Sequence, residues 1–233
     1  MKLLLLLFYG LKSSKLLLTG GTMLLSMITY AWVFGWRYAV GFVVLIFCHE
    51  MGHFLAARQR GLNVGAPTFI PFVGAWIELK ELPHDAETEA YVGIAGPVLG
   101  TLAALACYFA ARALDSQLLL ALAYAGLMLN LFNLIPLSPL DGGRITAIIS
   151  PKIWWVGVPI LGGLFLLHPS PMLILIAVLA IPQLLASRQA EAGRPAGYYQ
   201  VAATKRIEYT VWYLGLTVLL ASMSYSLHQR LGL

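Results

Sequence analysis

The sequence predicts an all-α polytopic membrane protein with six or seven transmembrane helices. Of its 233 residues, 60% are hydrophobic and only 11% are charged, and the mean hydropathy is +0.81. In a soluble domain about half of the residues are apolar and about a quarter are charged. The charges of this chain separate apolar runs of about 20 residues, the length that an α-helix needs to cross a bilayer. These observations exclude a soluble globular domain.

Seven apolar runs, bounded by charges, Pro and Gly, are the candidate spans. They cover approximately residues 16–36, 38–57, 91–111, 118–149 with a polar break, 153–167, 172–186 and 207–227. The fifth and sixth runs are short and are joined by His168-Pro169-Ser170-Pro171, which indicates one helical hairpin. The first residues resemble a secretory signal, but Lys12 and Lys15 interrupt the run and no Ala-x-Ala site follows. Residues 1–12 are therefore expected to be a retained interfacial segment.

The cations predict a cytoplasmic N-terminus. If the seven spans alternate from that side, only Arg37, Arg112 and Arg230 fall outside, and the other twelve of the fifteen Lys and Arg residues fall inside. The positive-inside rule favours this orientation, in which each cation is first a topology marker. Because the cations are scattered between apolar runs, nucleic acid is not an expected partner.

Two of the ten acidic residues lie at the predicted depth of the membrane, Glu50 and Asp141. The other eight fall in predicted loops, turns or helix starts: Glu78, Glu81, Asp85, Glu87, Glu89, Asp115, Glu191 and Glu208. A charged side chain at the bilayer centre costs at least about 2.5 kcal/mol, so an acid in a span indicates a functional site.

Glu50 belongs to the pattern His49-Glu50-Met51-Gly52-His53 in an otherwise apolar run. Residues four apart share one face of a helix, so His49 and His53 can offer two imidazole nitrogens to one Zn²⁺ while Glu50 addresses a water molecule there. A hydrogen-bonded polar cluster that stabilises helix packing is the alternative, although it does not require this histidine spacing.

A catalytic zinc usually has three protein ligands, so a further ligand is needed. Three other histidines, His84, His168 and His228, lie in a predicted loop or near the predicted outer surface and are poor candidates. Asp141 follows a segment with two prolines and precedes two glycines, so irregular backbone surrounds it at membrane depth. Such backbone is tolerated there only when it is buried in protein or lines a cavity. An ordinary loop with Asp141 as the N-cap of the next turn is the alternative interpretation.

The first motif is His49-Glu50-Met51-Gly52-His53. The second is Phe132-Asn133-Leu134-Ile135-Pro136-Leu137-Ser138-Pro139-Leu140-Asp141-Gly142-Gly143-Arg144. Together they resemble the site-2 protease family of intramembrane zinc metalloproteases. The segment Gly93-Ile94-Ala95-Gly96-Pro97-Val98-Leu99-Gly100 is similar to the start of the family's middle core helix. The resemblance implies a three-helix zinc-binding core around one Zn²⁺. It implies that His49, His53 and Asp141 are metal ligands and that Glu50 is the general base. It also implies that Asn133 holds the substrate carbonyl or oxyanion.

The resemblance suggests three regions: residues 1–36 as an interfacial segment and first transmembrane helix, 37–150 as the catalytic core, and 151–233 as C-terminal transmembrane helices. The longest hydrophilic segment has about thirty residues, and a domain typically needs at least about 50. A compact form without a PDZ or CBS domain is therefore expected. Gly96 and Gly100 form a G-x-x-x-G pattern, which indicates close helix packing within the core. Five tryptophans lie towards span ends, and most of them are expected to be interface anchors: Trp32, Trp36, Trp154, Trp155 and Trp212.

Residues 61–80 interrupt the helical pattern with glycines and prolines, and Ala75-Trp76-Ile77-Glu78-Leu79-Lys80 alternates as a strand does. The resemblance places a small membrane-associated β-hairpin or re-entrant loop here. An edge strand can bind an unwound substrate by strand addition. An amphipathic loop resting on the membrane surface is an equally open alternative. If strand pairing matters, Ile77→Pro should impair cleavage of an extended substrate.

The sequence thus predicts an intramembrane zinc metalloprotease in the cell membrane. Its expected partners are the lipid bilayer and a signalling substrate that has a transmembrane helix, which it cleaves in or near that helix. Because about 7.5 Å of helix separates His53 from Arg58, the zinc is expected on the cytoplasmic side. The alternatives are a catalytically inactive homologue that acts as a membrane regulatory protein and, less favoured, a divalent-metal transporter. A transporter would more naturally show two similar repeats with paired half-helices, and the sequence has no such repeat.

Overall fold

A computed structural model describes residues 15–65, 67–71, 74–76, 83–187 and 195–232. Several sequence-based expectations lie outside these residues: the interfacial segment 1–12, the alternation over 77–80, Glu78, Glu81 and Glu191. The described helices are α1 (Lys15–Phe34), α2 (Trp36–Gln59), α3 (Ala86–Leu114), α4 (Gln117–Asn133), α5 (Asp141–Thr146), a 3-10 turn (Pro151–Ile153), α6 (Trp154–Leu167), α7 (Pro171–Ser187) and α8 (Ala203–Leu231).

The protein is mostly helical, as predicted, and three of the described helices are long and apolar enough to cross a membrane. These are α2, α3 and α8, which have 24, 29 and 29 residues. Shorter apolar helices cover residues 18–34, 117–133, 151–167 and 171–185. The predicted count of six or seven spans is therefore not confirmed. In the fourth run the helix ends at Asn133, at the start of the polar break.

Helices α3 and α4 form an antiparallel hairpin because local signals stop one helix and start the next. Asp85 caps the start of α3, its side chain accepting a hydrogen bond from the Thr88 N–H at 2.7 Å. Asp115 ends α3 in the left-handed conformation, with φ of 49°. The side chain of the next residue, Ser116, accepts from the Leu119 N–H at 3.3 Å and begins α4. The two-residue turn places α4 directly against α3.

Small residues bring α2, α3 and α4 into close contact. A Cβ atom added at Gly52 of α2 would overlap the carbonyl of Ala95 in α3. A Cβ at Gly126 of α4 would lie 2.9 Å from the Cβ of Ala104 in α3. Without a hydrophobic drive in lipid, helices associate through this kind of close van der Waals packing. The middle helix α3 therefore holds α2 and α4 at fixed positions on its two sides.

The chain leaves the helical conformation between Asn133 and Asp141, as the prolines and glycines predicted. Gly142 and Gly143 pack directly on this segment, because a Cβ at either would overlap the backbone of Leu134 or Ser138. Two aromatic side chains also hold the segment. The Tyr213 hydroxyl donates to the Leu134 carbonyl at 2.7 Å, and the Trp154 indole N–H donates to the Gly143 carbonyl at 2.8 Å. The irregular backbone is thus buried in protein, the condition under which membranes tolerate it.

Helices α6 to α8 complete the packing around this segment. Buried residues of α6 and α7, including Leu161 and Ile176, form one apolar cluster with Ile135, Leu137 and Leu140 of the irregular segment. A second cluster joins α8 to α3 and α4. The C-terminal region therefore supports the segment that carries Asp141.

Two short strands, β1 (Thr68–Ile70) and β2 (Gly74–Trp76), pair antiparallel with Phe69 opposite Ala75. Strand β2 contains residues 75 and 76 of the alternating stretch, and the rest of that stretch lies outside the described residues, so the predicted β-hairpin is not confirmed. The predicted membrane association of this pair stays a prediction. Threonines of α1 hold β1 in place: Thr19 Oγ1 donates to the Pro67 carbonyl at 2.6 Å, and Thr22 Oγ1 accepts from the Phe69 N–H at 3.1 Å.

Candidate metal centre

Helix α2 presents His49 and His53 on one face, as the spacing of four residues predicted. Both are buried, with 3% and 7% of the residue surface exposed, and Glu50 between them is 8% exposed. The two Nε2 atoms lie 3.1 Å apart. Two imidazole nitrogens thus point to one place inside the protein.

Asp141 brings a carboxylate oxygen to the same place. Its Oδ2 lies 3.1 Å from Nε2 of His49 and 3.2 Å from Nε2 of His53. The N-cap of α5 is Leu140, with no side-chain capping bond, so the alternative of Asp141 as a simple N-cap is wrong. Among the described residues, these three side chains form the one group of at least three His, Cys, Asp or Glu that can hold a metal ion.

The hydrogen bond that His53 makes with α3 fits a cation in this group. Its Nδ1 lies 2.7 Å from the Val92 carbonyl of α3. A carbonyl only accepts hydrogen bonds, so Nδ1 carries a proton and, in the neutral ring, Nε2 presents a lone pair. That lone pair meets a carboxylate oxygen and a second imidazole nitrogen. Three ligands of a tetrahedral Zn²⁺, bonded at about 2.0–2.2 Å, lie about 3.3 Å apart, close to the separations observed here.

Glycines of α3 make room for the group. A Cβ at Gly96 would overlap the His53 ring, and a Cβ at Gly100 would overlap the side-chain amide of Asn130. The close packing predicted from the G-x-x-x-G pattern is therefore confirmed, and the partners are the polar side chains of the site. Gly96 faces the candidate ligand His53, and Gly100 faces Asn130, the residue that contacts His49.

Three residues around the group were missed by the sequence reasoning. Asn130 Oδ1 lies 2.8 Å from His49 Nδ1, and the Arg144 guanidinium lies 3.8 Å from Asp141 Oδ1. Arg144 was interpreted first as a topology marker. Trp154 was grouped with interface anchors, whereas it is 5% exposed and supports Gly143 through its indole N–H. Trp32, 91% exposed, has the exposure expected of an anchor.

Glu50 and Asn133, the predicted catalytic residues, have different surroundings. Glu50 lies within electrostatic range of His49, His53, Asp141 and Arg144, and within the described parts of the chain no hydrogen bond or ion pair occupies its carboxylate. Asn133 is half-buried at the end of α4, and its Nδ2 donates to the Leu129 carbonyl at 3.1 Å. The structure does not place Asn133 in contact with the three candidate ligands.

The comparisons with known proteins agree with the motifs. Residues 37–116 match the model of Peptidase family M50. The matched range includes His49 and His53 and ends before Asp141. Zinc metalloprotease MJ0392 of Methanocaldococcus jannaschii is 33% identical over 124 residues, which are 49% of this chain and 36% of that protein. The resemblance to the site-2 protease family is confirmed. His49, His53 and Asp141 are the candidate zinc-binding triad of this M50-like protein.

A second relative and a solved structure give the extent of the similarity. Putative zinc metalloprotease Rip3 of Mycobacterium tuberculosis is 32% identical over 127 residues, which are 49% of this chain and 31% of that protein. This chain thus spans about a third of the length of these curated relatives. The structure described as Site-2 Protease from Methanocaldococcus jannaschii aligns with a TM-score of 0.48 and 24% identity, covering 77% of this chain and 87% of that one.

Proposed function

We propose that the protein is an intramembrane zinc metalloprotease that hydrolyses a peptide bond in or near the transmembrane segment of a membrane-bound signalling protein. The observation that carries this proposal is the convergence of His49, His53 and Asp141 at one buried point among apolar helices. Residues 37–150 are the proposed catalytic core, and residues 151–233 are helices that support it.

In this proposal His49, His53 and Asp141 hold the metal through Nε2, Nε2 and Oδ2. The chemistry that a bound Zn²⁺ supplies is polarisation of a carbonyl oxygen and a lowered pKa for water. Arg144 faces the other carboxylate oxygen of Asp141, Oδ1. This second contact restrains the carboxylate so that Oδ2 stays directed at the histidines.

Glu50 is the proposed general base. Its carboxylate accepts the proton of the attacking water and can deliver that proton to the leaving amine. The position fits the role because Glu50 follows His49 on α2, is buried, and has no hydrogen-bond partner among the described residues. A carboxylate already engaged by donors would be a weaker proton acceptor.

Asn133 is the proposed donor to the substrate carbonyl. An asparagine amide has two N–H donors, and the Leu129 carbonyl takes one of them. The second remains for a developing oxyanion, a stabilisation that typically contributes about 2.7–4 kcal/mol when the donor is already in place.

The proposed site lies on the cytoplasmic side of the bilayer centre. His53 is six residues before the end of α2 at Gln59, about 9 Å of helix, whereas His49 is thirteen residues after Trp36, about 20 Å. The group is thus nearer to the end of α2 that the cations predict to be cytoplasmic. The polar break around residues 133–143 is the proposed route for water. It contains the exposed Pro139 and is followed by Arg144.

The strand pair is the proposed binding site for an unwound substrate. The Phe69 N–H points to Thr22 on α1, away from β2. In an antiparallel pair the residue opposite such a position also directs its N–H and C=O outward, so those of Ala75 face away from β1. Strand β2 also contacts α2, the helix that carries His49 and Glu50. A substrate strand added at β2 would therefore lie beside the catalytic helix.

Ala75→Pro tests strand addition, because proline removes the outward N–H. Ile77, the position suggested by the sequence, lies outside the described residues. We expect cleavage of an extended substrate to fall at least about tenfold, the loss that corresponds to one hydrogen bond of about 1.4 kcal/mol. Ala75→Val keeps the N–H and is the matched control. Equal cleavage by the wild type and the proline variant would contradict strand addition.

Glu50→Gln tests the whole function. The purified protein is reconstituted in vesicles with candidate single-span substrates, and both zinc content and cleavage are measured. We expect the variant to retain zinc and to lose cleavage by about 10²–10⁴-fold, the usual contribution of a general base. Cleavage equal to that of the wild type would refute the protease. No cleavage by either protein with zinc bound would favour an inactive homologue, and zinc uptake into the vesicles would favour a transporter.

A further inference from the structure

Asn130 is a deeply buried polar side chain beside the candidate ligands, with 1% of its surface exposed. It lies on α4, 81 residues from His49 in sequence, and both ends of its amide are engaged. The Nδ2 atom donates to the Gly126 carbonyl at 2.7 Å, one turn earlier in the same helix. The Oδ1 atom lies 2.8 Å from Nδ1 of His49.

These contacts decide which way the amide points. The Gly126 carbonyl can only accept, so it must face the NH₂ group of Asn130. The opposite orientation would place the amide oxygen of Asn130 against the carbonyl oxygen of Gly126 in a buried site. Oδ1 therefore faces His49, and since Oδ1 only accepts, Nδ1 of His49 carries a proton. The Nε2 atom of the neutral ring then presents its lone pair to His53 and Asp141.

We propose that Asn130 is a positioning residue that fixes the tautomer and ring direction of His49 for metal binding. The inference rests on the proposed role of His49 as a zinc ligand. A ligating histidine usually donates its other N–H to a fixed acceptor, and loss of that acceptor typically weakens metal binding about 10–100-fold. His53 has a backbone acceptor, the Val92 carbonyl, which no side-chain substitution removes. His49 depends on one side chain, so its support can be tested by mutation.

Gly100 of α3 is the second part of this arrangement. A Cβ at this position would overlap Oδ1 of Asn130, so α3 must have glycine here for Asn130 to reach His49. Gly100→Ala would displace the acceptor while keeping every polar residue of the site. This variant therefore gives a second way to disturb the contact without removing the amide.

The test compares Asn130→Leu, Asn130→Asp and Gly100→Ala with the wild type in the full-length protein. Zinc affinity is measured by competition with a chelator, and protonation of His49 Nδ1 is read from ¹⁵N spectra of histidine-labelled, zinc-free protein. We expect Asn130→Leu and Gly100→Ala to bind zinc about 10–100-fold more weakly, whereas Asn130→Asp, which keeps an acceptor, should stay within about threefold of the wild type. Thr101→Val is the matched control, because it removes a buried 2.6 Å hydrogen bond within α3, to the Pro97 carbonyl, in which none of the candidate ligands takes part.

The outcomes separate this inference from the proposed function. Wild-type zinc affinity in Asn130→Leu, or an unprotonated Nδ1 of His49 in the wild type, would overturn the role of Asn130. Equal weakening by Asn130→Leu and Asn130→Asp would also overturn it, since that pattern indicates general loss of packing. If the wild type binds no zinc, the proposed function fails, while the Nδ1 signal still decides whether Asn130 sets the tautomer. If Asn130→Leu does not fold, Gly100→Ala and the wild-type spectrum decide the question.

Discussion

At the scale of single residues, the site depends on Asp141 supplying a charge that the histidines lack. Its Oδ2 contacts both Nε2 atoms, and its Oδ1 faces Arg144. Two neutral imidazoles and one carboxylate give a divalent ion a ligand set with one negative charge. The carboxylate therefore contributes electrostatic attraction as well as a donor atom.

Asp141→Asn keeps the shape of this side chain and removes its charge. We expect zinc affinity to fall at least about 100-fold, because an amide oxygen is a far weaker zinc ligand than a carboxylate. Zinc content after dialysis at a fixed free zinc concentration measures the effect. Asp115→Asn makes the same chemical change in the turn between α3 and α4, where Asn tolerates the left-handed conformation. That control should bind zinc as the wild type does, and similar losses in both variants would argue against a ligand role.

The site residues that could be predicted from the sequence are those recognisable from their own short stretch of sequence. The spacing of His49 and His53 on one helix is enough to predict that they share a face, and the polar break drew attention to Asp141. Asn130 is one of several amide side chains in α4, and only the packing of α4 against α2 brings it to His49. Arg144 was obscured because the positive-inside rule already explained it. Tertiary partners of this kind have no periodic signature in one sequence.

At the scale of helices and strands, the site depends on how closely α3 approaches α2. The sequence predicted close helix packing from Gly96 and Gly100, although it could not name the partner helices or the side chains that fill the space. The number of spans was less predictable, because hydropathy alone does not show where a helix ends. The apolar run 118–149 contains α4, a non-helical segment and α5, and the packed Gly142 and Gly143 maintain that break.

Gly96→Ala tests the contact between α3 and α2. The added methyl group would overlap the His53 ring, so we expect the ring to move and the protein to lose about 1–3 kcal/mol of stability, the usual cost of overpacking. Zinc affinity should fall together with the melting temperature. Gly162→Ala on α6 is the matched control, because nothing lies within 4 Å of its added Cβ and alanine favours a helix. Wild-type zinc affinity in Gly96→Ala would show that the close approach is not required.

At the scale of the whole molecule, depth and orientation decide which compartment supplies water to the site. The end of α2 and the start of α3 lie together, joined by an ion pair between Arg60 and Glu87 at 3.7 Å and a hydrogen bond from Tyr91 to Gln59 at 2.7 Å. Helix α3 has 29 residues, about 43 Å of length, and exceeds the roughly 30 Å hydrocarbon core. Its other end, at Leu114, should therefore reach the opposite face of the membrane.

Labelling of single cysteines from each side of the membrane tests both spanning and orientation. Arg58→Cys and Leu114→Cys are made separately in a background with Cys48→Ala and Cys107→Ala, at positions that are exposed in the structure. An impermeant maleimide should label Arg58→Cys only from the cytoplasmic side and Leu114→Cys only from the outside, since twelve of the fifteen cations then lie inside. The background protein without added cysteine gives the unlabelled control. Labelling of both positions from one side would contradict a spanning α3. Labelling of Arg58→Cys only from the outside and of Leu114→Cys only from the cytoplasm would still support a spanning α3. It would place the proposed metal site and its water in the outer half of the bilayer.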